Sequence, residues 1–374
     1  MAGIYLHIPF CKQACYYCDF HFSTSLKKKD DLILALQKEL LLRKNELEGE
    51  LVETIYFGGG TPSLLTNNEI ELLTDTIYKN YKVAKQIEVT LEANPDDLSN
   101  ERIQSLASTP INRLSIGVQS FFDDDLKNMN RAHSCNEAKT SLEWATKYFN
   151  NITIDLIYGI PHMSLEKWHK NLETTFDYNI PHISSYALTV EPKTALDVFI
   201  KKGTYPPIDE NLALEHFSHL VKTTENKGFI QYEISNFGKE GYFSKHNSSY
   251  WMGKPYLGIG PSAHSFNANQ RSWNVSNNTK YINSIHDNKL SQQVEILTQK
   301  DRFNEKVMIG LRTIWGLDLA EIKRDFGEEL KNNLMVDAQK FIDKQLLEVS
   351  GNVLKTTNKG KFLADGIASE LFMI

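Results

Sequence analysis

The chain has 374 residues, of which 41% are hydrophobic and 24% are charged, so it has the composition of a globular protein with a large buried core. Its 41 basic and 47 acidic residues give a net charge of −6, so we do not expect the overall positive charge that attracts nucleic acid. No apolar run reaches the roughly 18 residues of a membrane span, and the first residues do not resemble a signal peptide. We therefore expect a cytoplasmic protein of two or three domains without a membrane span, and peripheral contact with a membrane stays open.

Six short apolar segments alternate with amphipathic helical patterns in the first half of the chain. We predict strands at residues 3–8, 52–57, 87–91, 113–118, 152–158 and 183–188. Strands separated by helices indicate βα units and a parallel sheet, with ligands bound at the carboxyl ends of the strands. Because a closed barrel needs eight such units, the α/β fold predicted here is a partial (β/α)6 barrel with an open side.

The pattern changes after the sixth predicted strand, and we divide the chain into three parts. Residues 1–230 are predicted to form the barrel, and 231–299 a connecting region with few regular signals. Residues 300–374 are predicted to form a smaller α-rich domain that ends in a hairpin, in the order of a winged helix. This last part has twelve basic and twelve acidic residues, so we expect a packing or lid module and not a DNA-binding one.

Three of the four cysteines, Cys11, Cys15 and Cys18, lie within eight residues. In a reducing compartment such a group is expected to bind metal or to carry out redox chemistry. Three thiolates would leave one iron of a four-iron cluster without a protein ligand, which is the open position that a catalyst needs. The alternative is a closed zinc site, with His7 or His21 as the fourth ligand, in a zinc-binding interaction protein.

The CxxxCxxC spacing after the first predicted strand resembles the radical S-adenosylmethionine (SAM) superfamily. The GGGTP turn at 58–62 is similar to that family's glycine motif, and the segments 5–11, 113–121 and 154–161 resemble its coproporphyrinogen dehydrogenase-like group. The resemblance implies a [4Fe-4S] cluster on the three cysteines, an electron donor for that cluster, and SAM on the open iron. Carried over position by position, it implies SAM contacts from Tyr5, Gly59, Gly60, Thr61, Glu92, Gln119, Arg131, Asp155, Ala187 and His264.

Two features separate the branches of this group. The oxygen-independent dehydrogenase resembles CxxxCxxCxC and has an extension before its first strand, whereas this chain has Phe20 at the position of the extra cysteine and two residues before the strand. The HNxxYW segment at 246–251 resembles the haem-binding motif of the haem-chaperone branch, which implies haem contacts from His246, Asn247, Tyr250 and Trp251. A buried cluster of histidine and aromatic rings is the alternative interpretation of that segment.

The predicted function is therefore that of a haem chaperone. Such a protein binds haem beside its cluster and SAM, and its partners are haem-acceptor proteins, with respiratory proteins among the candidates. His246 is the predicted axial ligand of the haem iron, because histidine is the commonest protein ligand for haem. The alternative is an enzyme that decarboxylates coproporphyrinogen by radical chemistry, so the sequence leaves open whether the radical chemistry is used.

Overall fold

The computed structural model describes residues 1–373, and its regular elements alternate as the sequence predicts in the first half. The strands are β1 (Ala2–Ile8), β2 (Val52–Gly59), β3 (Val83–Ala93), β4 (Arg113–Gln119), β5 (Ile152–Tyr158), β6 (His182–Ala187), β7 (Ile230–Glu233), β8 (Asn236–Gly238), β9 (Tyr256–Ile259), β10 (His264–Phe266), β11 (Gln270–Asn274), β12 (Gln292–Ile296), β13 (Leu317–Asp318), β14 (Leu347–Ser350) and β15 (Val353–Thr356). The helices are α1 (Lys29–Leu42), α2 (Asn67–Asn80), α3 (Asn100–Leu106), α4 (Asp123–Asn128), α5 (Cys135–Tyr148), α6 (Leu165–Asp177), α7 (Ala195–Lys201), α8 (Glu210–Asn226), α9 (Lys245–Trp251), α10 (Asn278–His286), α11 (Gln299–Arg312), α12 (Leu319–Phe326), α13 (Glu328–Asp343) and α14 (Ala364–Glu370). Short 3-10 turns occupy Pro62–Leu64, Pro95–Asp97 and Lys361–Leu363.

The first six strands form the parallel sheet of a partial barrel, in chain order from β1 to β6. This confirms the predicted (β/α)6 fold. The strands are buried on both faces, as in β4, where all seven residues are buried, so they appear in the sequence as nearly continuous apolar runs. The Thr66–Glu69 capping box at the start of α2 is also present.

The segment 231–299 extends this sheet at both of its edges. Strand β8 pairs with β6 and β7 pairs with β8, while β9 pairs in parallel with β1 and is followed by β10, β11 and β12. These strands have three to five residues each, which is too short for a reliable alternation of apolar and polar residues. The sequence therefore showed few regular signals where the structure has a continuous sheet, and the boundaries at 230 and 299 stay predictions.

A second hydrophobic core lies in the C-terminal part, beneath helices α11 to α14 and a small sheet of order β13-β15-β14. The predicted hairpin is the antiparallel pair β14 and β15, and helix α14 follows it, so this part does not end in the hairpin. Arg312, at the end of α11, contacts Glu233 of β7 with 2.8 Å between Nη2 and Oε1, and so connects this part to the barrel. Within residues 1–373, no helix is both long enough and apolar enough to cross a membrane.

Candidate functional site

A cavity of about 450 Å³ lies at the carboxyl ends of the barrel strands, where each βα loop begins. Eleven of the thirteen residues predicted to hold the cluster or SAM line it. These are Cys11, Cys15, Cys18, Gly59, Gly60, Thr61, Glu92, Gln119, Arg131, Asp155 and Ala187. The fold therefore gathers, from six strands and their loops, residues that are distant from one another in the sequence.

The cysteine loop is anchored to the end of β1 by its backbone. The Cys11 amide donates to the carbonyl of Ser23 at 3.1 Å, and the Ser23 amide donates to the carbonyl of Pro9 at 2.9 Å. The three thiols are free and partly buried, and burial raises the pKa of Cys11 and raises the pKa of Cys18 to about 11. Thiolates in this loop therefore need a nearby positive charge, which bound iron supplies.

The arrangement of donors favours a multi-iron cluster over a single zinc ion. Within residues 1–373, no three His, Cys, Asp or Glu side chains surround one point where a metal ion could bind. His7 is already used, because its Nε2 donates to the His21 carbonyl at 2.9 Å and its Nδ1 contacts the Tyr5 hydroxyl at 3.1 Å. The His21 Nε2 lies 2.7 Å from Oδ1 of Asn278. Three thiols that face a cavity, with no histidine to complete a zinc site, fit a cluster in which each thiolate binds a different iron.

The glycine turn after β2 holds this loop against the end of β1. Gly59 has φ +106°, and its amide donates to Oε2 of Glu92 at 3.1 Å. A Cβ on Gly60 would lie 2.7 Å from the Phe10 carbonyl oxygen and 2.8 Å from the Ile8 carbonyl oxygen. The family resemblance implies that these glycines contact SAM, whereas the close approach seen at Gly60 is to the protein's own backbone.

Two carboxyl groups, Glu92 and Asp155, lie in the cavity on neighbouring parts of the sheet. Glu92 accepts from the Tyr56 hydroxyl at 2.8 Å, and Asp155 accepts from the Ser115 hydroxyl at 3.4 Å. Burial raises the pKa of Glu92, and burial together with the nearby Glu92 charge raises the pKa of Asp155 to about 7. The site therefore offers hydrogen-bond acceptors for hydroxyl or ammonium groups, and one of them changes its charge near neutral pH.

Arg131 supplies the positive charge of the cavity. Its Nη2 donates to Oδ1 of Asn94 and to the carbonyl of Gly117, both at 2.8 Å, and its Nη1 lies 3.4 Å from the Cys15 sulfur. Its buried Nε has no hydrogen-bond partner within residues 1–373. A guanidinium beside the cysteine loop with a free donor fits a ligand carboxylate next to the cluster, so the residues present fit SAM as well as the cluster.

Two predicted SAM residues are not among those that line the cavity. Tyr5 lies within the barrel, where its hydroxyl contacts Nδ1 of His7. His264 is exposed on β10, and its ring lies 5.8 Å from that of Trp273. Their roles in SAM binding therefore have no support from the cavity geometry. The sequence signal at His264 was weak, since this residue lies among short strands whose register the sequence does not fix.

The HNxxYW segment lies entirely within helix α9. The His246 side chain is buried, with 1% of its surface exposed, and it stacks on Tyr56 at 4.9 Å between ring centroids. Its Nδ1 lies 2.7 Å from the Thr54 hydroxyl and its Nε2 lies 2.7 Å from the Tyr250 hydroxyl. Burial lowers the pKa of His246 to about 3. Both ring nitrogens are therefore occupied, and the predicted axial ligation requires that one of them be released.

The other residues of the motif lie toward the C-terminal part. Tyr250 and Trp251 line a separate cavity beside α11, while the Asn247 amide donates to the Ser244 hydroxyl at 3.3 Å at the start of α9. His246 therefore lies in the barrel interior, whereas Tyr250 and Trp251 line the cavity beside α11.

Sequence reasoning missed several residues that line the cluster cavity, among them Asn94, Ser115, Gly117 and Tyr17. Asn94 directly follows the third strand, so its position at a strand end was a usable signal. Ser115 and Gly117 belong to the strand pattern of β4, and small residues in an apolar strand mark a place where a ligand can approach the sheet.

Comparison with known proteins places the chain in a family. The radical SAM superfamily model matches residues 5–174, and the model of the HemN C-terminal domain matches residues 297–363. A curated relative from Bacillus subtilis, named heme chaperone HemW, is 32% identical over 371 residues, which covers 98% of this chain and 98% of the relative. The heme chaperone HemW of Escherichia coli is 37% identical over 268 residues, covering 70% of this chain and 69% of the relative.

Among solved structures, the coproporphyrinogen III oxidase HemN of Escherichia coli, a radical SAM enzyme, has a TM-score of 0.85. The match covers 100% of this chain and 90% of that one, and the two are 21% identical in sequence. This likeness shows that the fold is shared. The Bacillus subtilis relative, whose similarity spans 98% of this chain, shows that the chain belongs to the HemW family of the radical SAM superfamily.

Proposed function

We propose that this protein is a haem chaperone, which binds haem and transfers it to acceptor proteins. The observation that carries the proposal is the similarity along the whole chain to proteins named heme chaperone HemW, at 32% identity over 371 residues. The cavity lined by the three cysteines and by eight of the ten predicted SAM residues is consistent with it. A cytoplasmic location and haem acceptors of the respiratory chain belong to the same proposal.

In this proposal Cys11, Cys15 and Cys18 hold a [4Fe-4S] cluster and the rest of the cavity holds SAM. When bound, the cluster supplies single electrons and SAM supplies a cleavable sulfonium. Arg131 binds the ligand carboxylate through its free Nε, and Asp155 accepts a hydrogen bond from a ribose hydroxyl. Glu92 is held by Tyr56 and by the Gly59 amide, so it fixes the glycine turn in addition to any contact with ligand.

The position of Phe20 supports a chaperone over a coproporphyrinogen dehydrogenase. Phe20 stands where the dehydrogenase pattern has a cysteine, and its side chain is 65% exposed at the edge of the cavity. An exposed apolar ring at the entrance cannot replace a thiol in binding or redox chemistry. The likeness to the oxidase structure concerns the fold, so it does not favour the enzymatic alternative.

One anaerobic experiment decides between the two functions. Purified protein with its cluster and SAM is titrated with ferric haem, and the loaded protein is then mixed with apomyoglobin as a probe acceptor. We expect stoichiometric uptake, seen as a shifted Soret band, followed by transfer to apomyoglobin. In parallel, the reduced protein is incubated with SAM and coproporphyrinogen III, and released carbon dioxide is measured. Turnover of coproporphyrinogen without haem uptake would refute the proposal.

A further inference from the structure

Strand β12 is one outer edge of the twelve-stranded sheet. It pairs with β11 on one side, and within residues 1–373 no strand pairs with its other side. The backbone amides and carbonyls that face outward from this edge can therefore pair with a further strand. Val294 and Ile296 of β12 are 51% and 68% exposed, so the edge also presents apolar surface to water.

The two faces of β12 differ in character. Successive side chains of a strand point to opposite faces, so Val294 and Ile296 share one face and Glu295 lies on the other. Glu295 is directly opposite Arg271 of β11, and both line a cavity of about 460 Å³ between the outer strands and α11. An adjoining cavity of about 590 Å³ shares part of its lining with the first, and we call the two together the α11 groove.

Negative charge dominates the α11 groove. Six carboxylates line it against three basic side chains, and the six are Glu295, Asp301, Glu305, Asp318, Glu321 and Asp325. Two of the cations, Arg271 and Lys306, already pair with carboxylates of the groove. Three of the carboxylates have no ion pair within residues 1–373, namely Glu295, Asp301 and Asp318. The lining therefore repels anions and attracts a cationic group.

The pKa of Glu305 reflects the crowding of these carboxylates. Burial raises the pKa of Glu305, and Arg271 opposes this rise. The nearby charges of Asp301 and Glu295 add to it. Three carboxyl groups thus lie near one another around a single arginine, and a second cation would stabilise their ionised forms.

Aromatic rings form the wall of the groove that α9 begins. The Tyr256 ring packs edge-on against the Tyr250 ring with 4.5 Å between centroids, and the Phe266 ring lies 6.1 Å from that of Tyr256. Trp251 continues the wall, and the Arg312 guanidinium already lies 5.3 Å from the centroid of its ring. Aromatic faces attract cations, so the wall and the carboxylates favour the same kind of ligand.

We propose that the edge of β12 and the α11 groove together bind an extended segment of a partner protein in which basic and apolar residues alternate. The segment adds a strand to β12, which places every second side chain on the groove face. There a lysine or arginine meets Glu295 and the aromatic wall, while the intervening apolar side chains lie beside Val294 and Ile296. The inference goes beyond the proposed function, because it concerns a partner protein and not the cargo.

A second copy of the chain is the alternative occupant of this edge, and the charges disfavour it. Two β12 strands paired antiparallel about Val294 would place Gln293 of one copy opposite Glu295 of the other, on the same face of the joined sheet. The two acidic grooves would then lie side by side, and like charges on neighbouring strands are destabilising. A basic segment removes this repulsion, which is why we assign the edge to a partner.

The test uses the full chain with its cluster and a dye-labelled peptide of alternating lysine and valine as the probe. Fluorescence anisotropy at about 50 mM salt measures its affinity, which should fall steeply at about 500 mM salt. A peptide of alternating glutamate and valine should bind about tenfold more weakly or not at all. Hydrogen exchange of the amides at 292–296 should slow when the lysine peptide is bound, because the added strand protects this edge.

Three variants separate the contributions of charge and of apolar contact. Glu295→Lys should weaken binding of the lysine peptide about tenfold. Glu329→Lys makes the same charge change at an exposed position on α13 outside the groove, and it should bind like wild type. Val294→Ser should weaken binding several-fold without changing its salt dependence, since it removes only apolar surface. Circular dichroism and iron content check that each variant is folded.

Equal binding of the two peptides, or wild-type affinity in Glu295→Lys, would show that the groove does not select a cationic segment. Unchanged exchange at 292–296 with the lysine peptide bound would rule out strand addition to β12. Sedimentation of the protein alone tests the alternative occupant. A dimer in which residues 292–296 are already protected would mean that a second copy covers the edge and that the partner assignment is wrong. Haem uptake is measured separately, so the proposed function stands or fails independently of these results.

Discussion

SAM binding should depend on pH through Asp155. Burial and the neighbouring Glu92 raise the pKa of Asp155 to about 7, so the carboxyl group is mostly neutral at pH 6 and mostly ionised at pH 8. The ionised fraction rises from about one tenth to about nine tenths over this interval. If the ionised form accepts the ribose hydroxyl and attracts the positively charged sulfonium, SAM affinity should rise about tenfold from pH 6 to pH 8, which corresponds to about 1.4 kcal/mol.

Calorimetric titration with SAM under anaerobic conditions measures this dependence. Asp155→Asn should bind more weakly at pH 8 and show a much flatter profile, whereas Asp337→Asn, an exposed residue on α13, should follow the wild type. The same raised pKa stabilises the folded protein below pH 4, and that stabilisation is lost as the pH rises to 7. Asp155→Asn should therefore be more stable than wild type at pH 8, by about 2 kcal/mol after allowance for solvent in the cavity. A wild-type affinity that stays constant between pH 6 and pH 8 would refute this role.

Two further substitutions test the cluster loop. Cys15→Ser should lose iron and sulfide, because a second iron of the cluster would lack a protein ligand. The control Cys135→Ser, at the start of α5, should retain both. Full cluster content in Cys15→Ser would contradict the ligand assignment. Gly60→Ala should lower the melting temperature by several degrees and reduce cluster content, since its Cβ would lie within 2.8 Å of the backbone of Ile8 and Phe10. A loss of SAM affinity with unchanged melting temperature and iron content would instead favour a ligand contact at Gly60.

The barrel could be predicted from the sequence because its strands are long and apolar. The segment at 152–158, for example, coincides with β5, since a strand covered on both faces must be apolar at nearly every position. Strands such as β10, with three residues, carry no such pattern. Their place in the sheet depends on pairing with strands that are distant in sequence, as in the pairing of β9 with β1. The periodicity of a single sequence contains no information on such pairing.

The position of the cluster cavity was also predictable, because the carboxyl ends of all strands in a parallel sheet lie on the same side of it. The roles of individual side chains were less predictable. Thr54 and Tyr250 enclose the ring of His246 because of the way α9 packs on the barrel. The residues of the motif alone contain no information on this packing. Likewise the constraint on Gly60 comes from the carbonyl of Phe10, a residue fifty positions earlier in the chain.

The pairing of β1 with β9 has a consequence for synthesis of the chain. Strand β1 acquires one neighbour once β2 has been made, but its other edge stays unpaired until residues 256–259 have left the ribosome. The cysteine loop directly follows β1, so during most of translation it is attached to a strand with one free edge. Such an edge can pair with other nascent chains, and contacts of this sequence separation form slowly. The part of the protein made first is thus among the last to be completed.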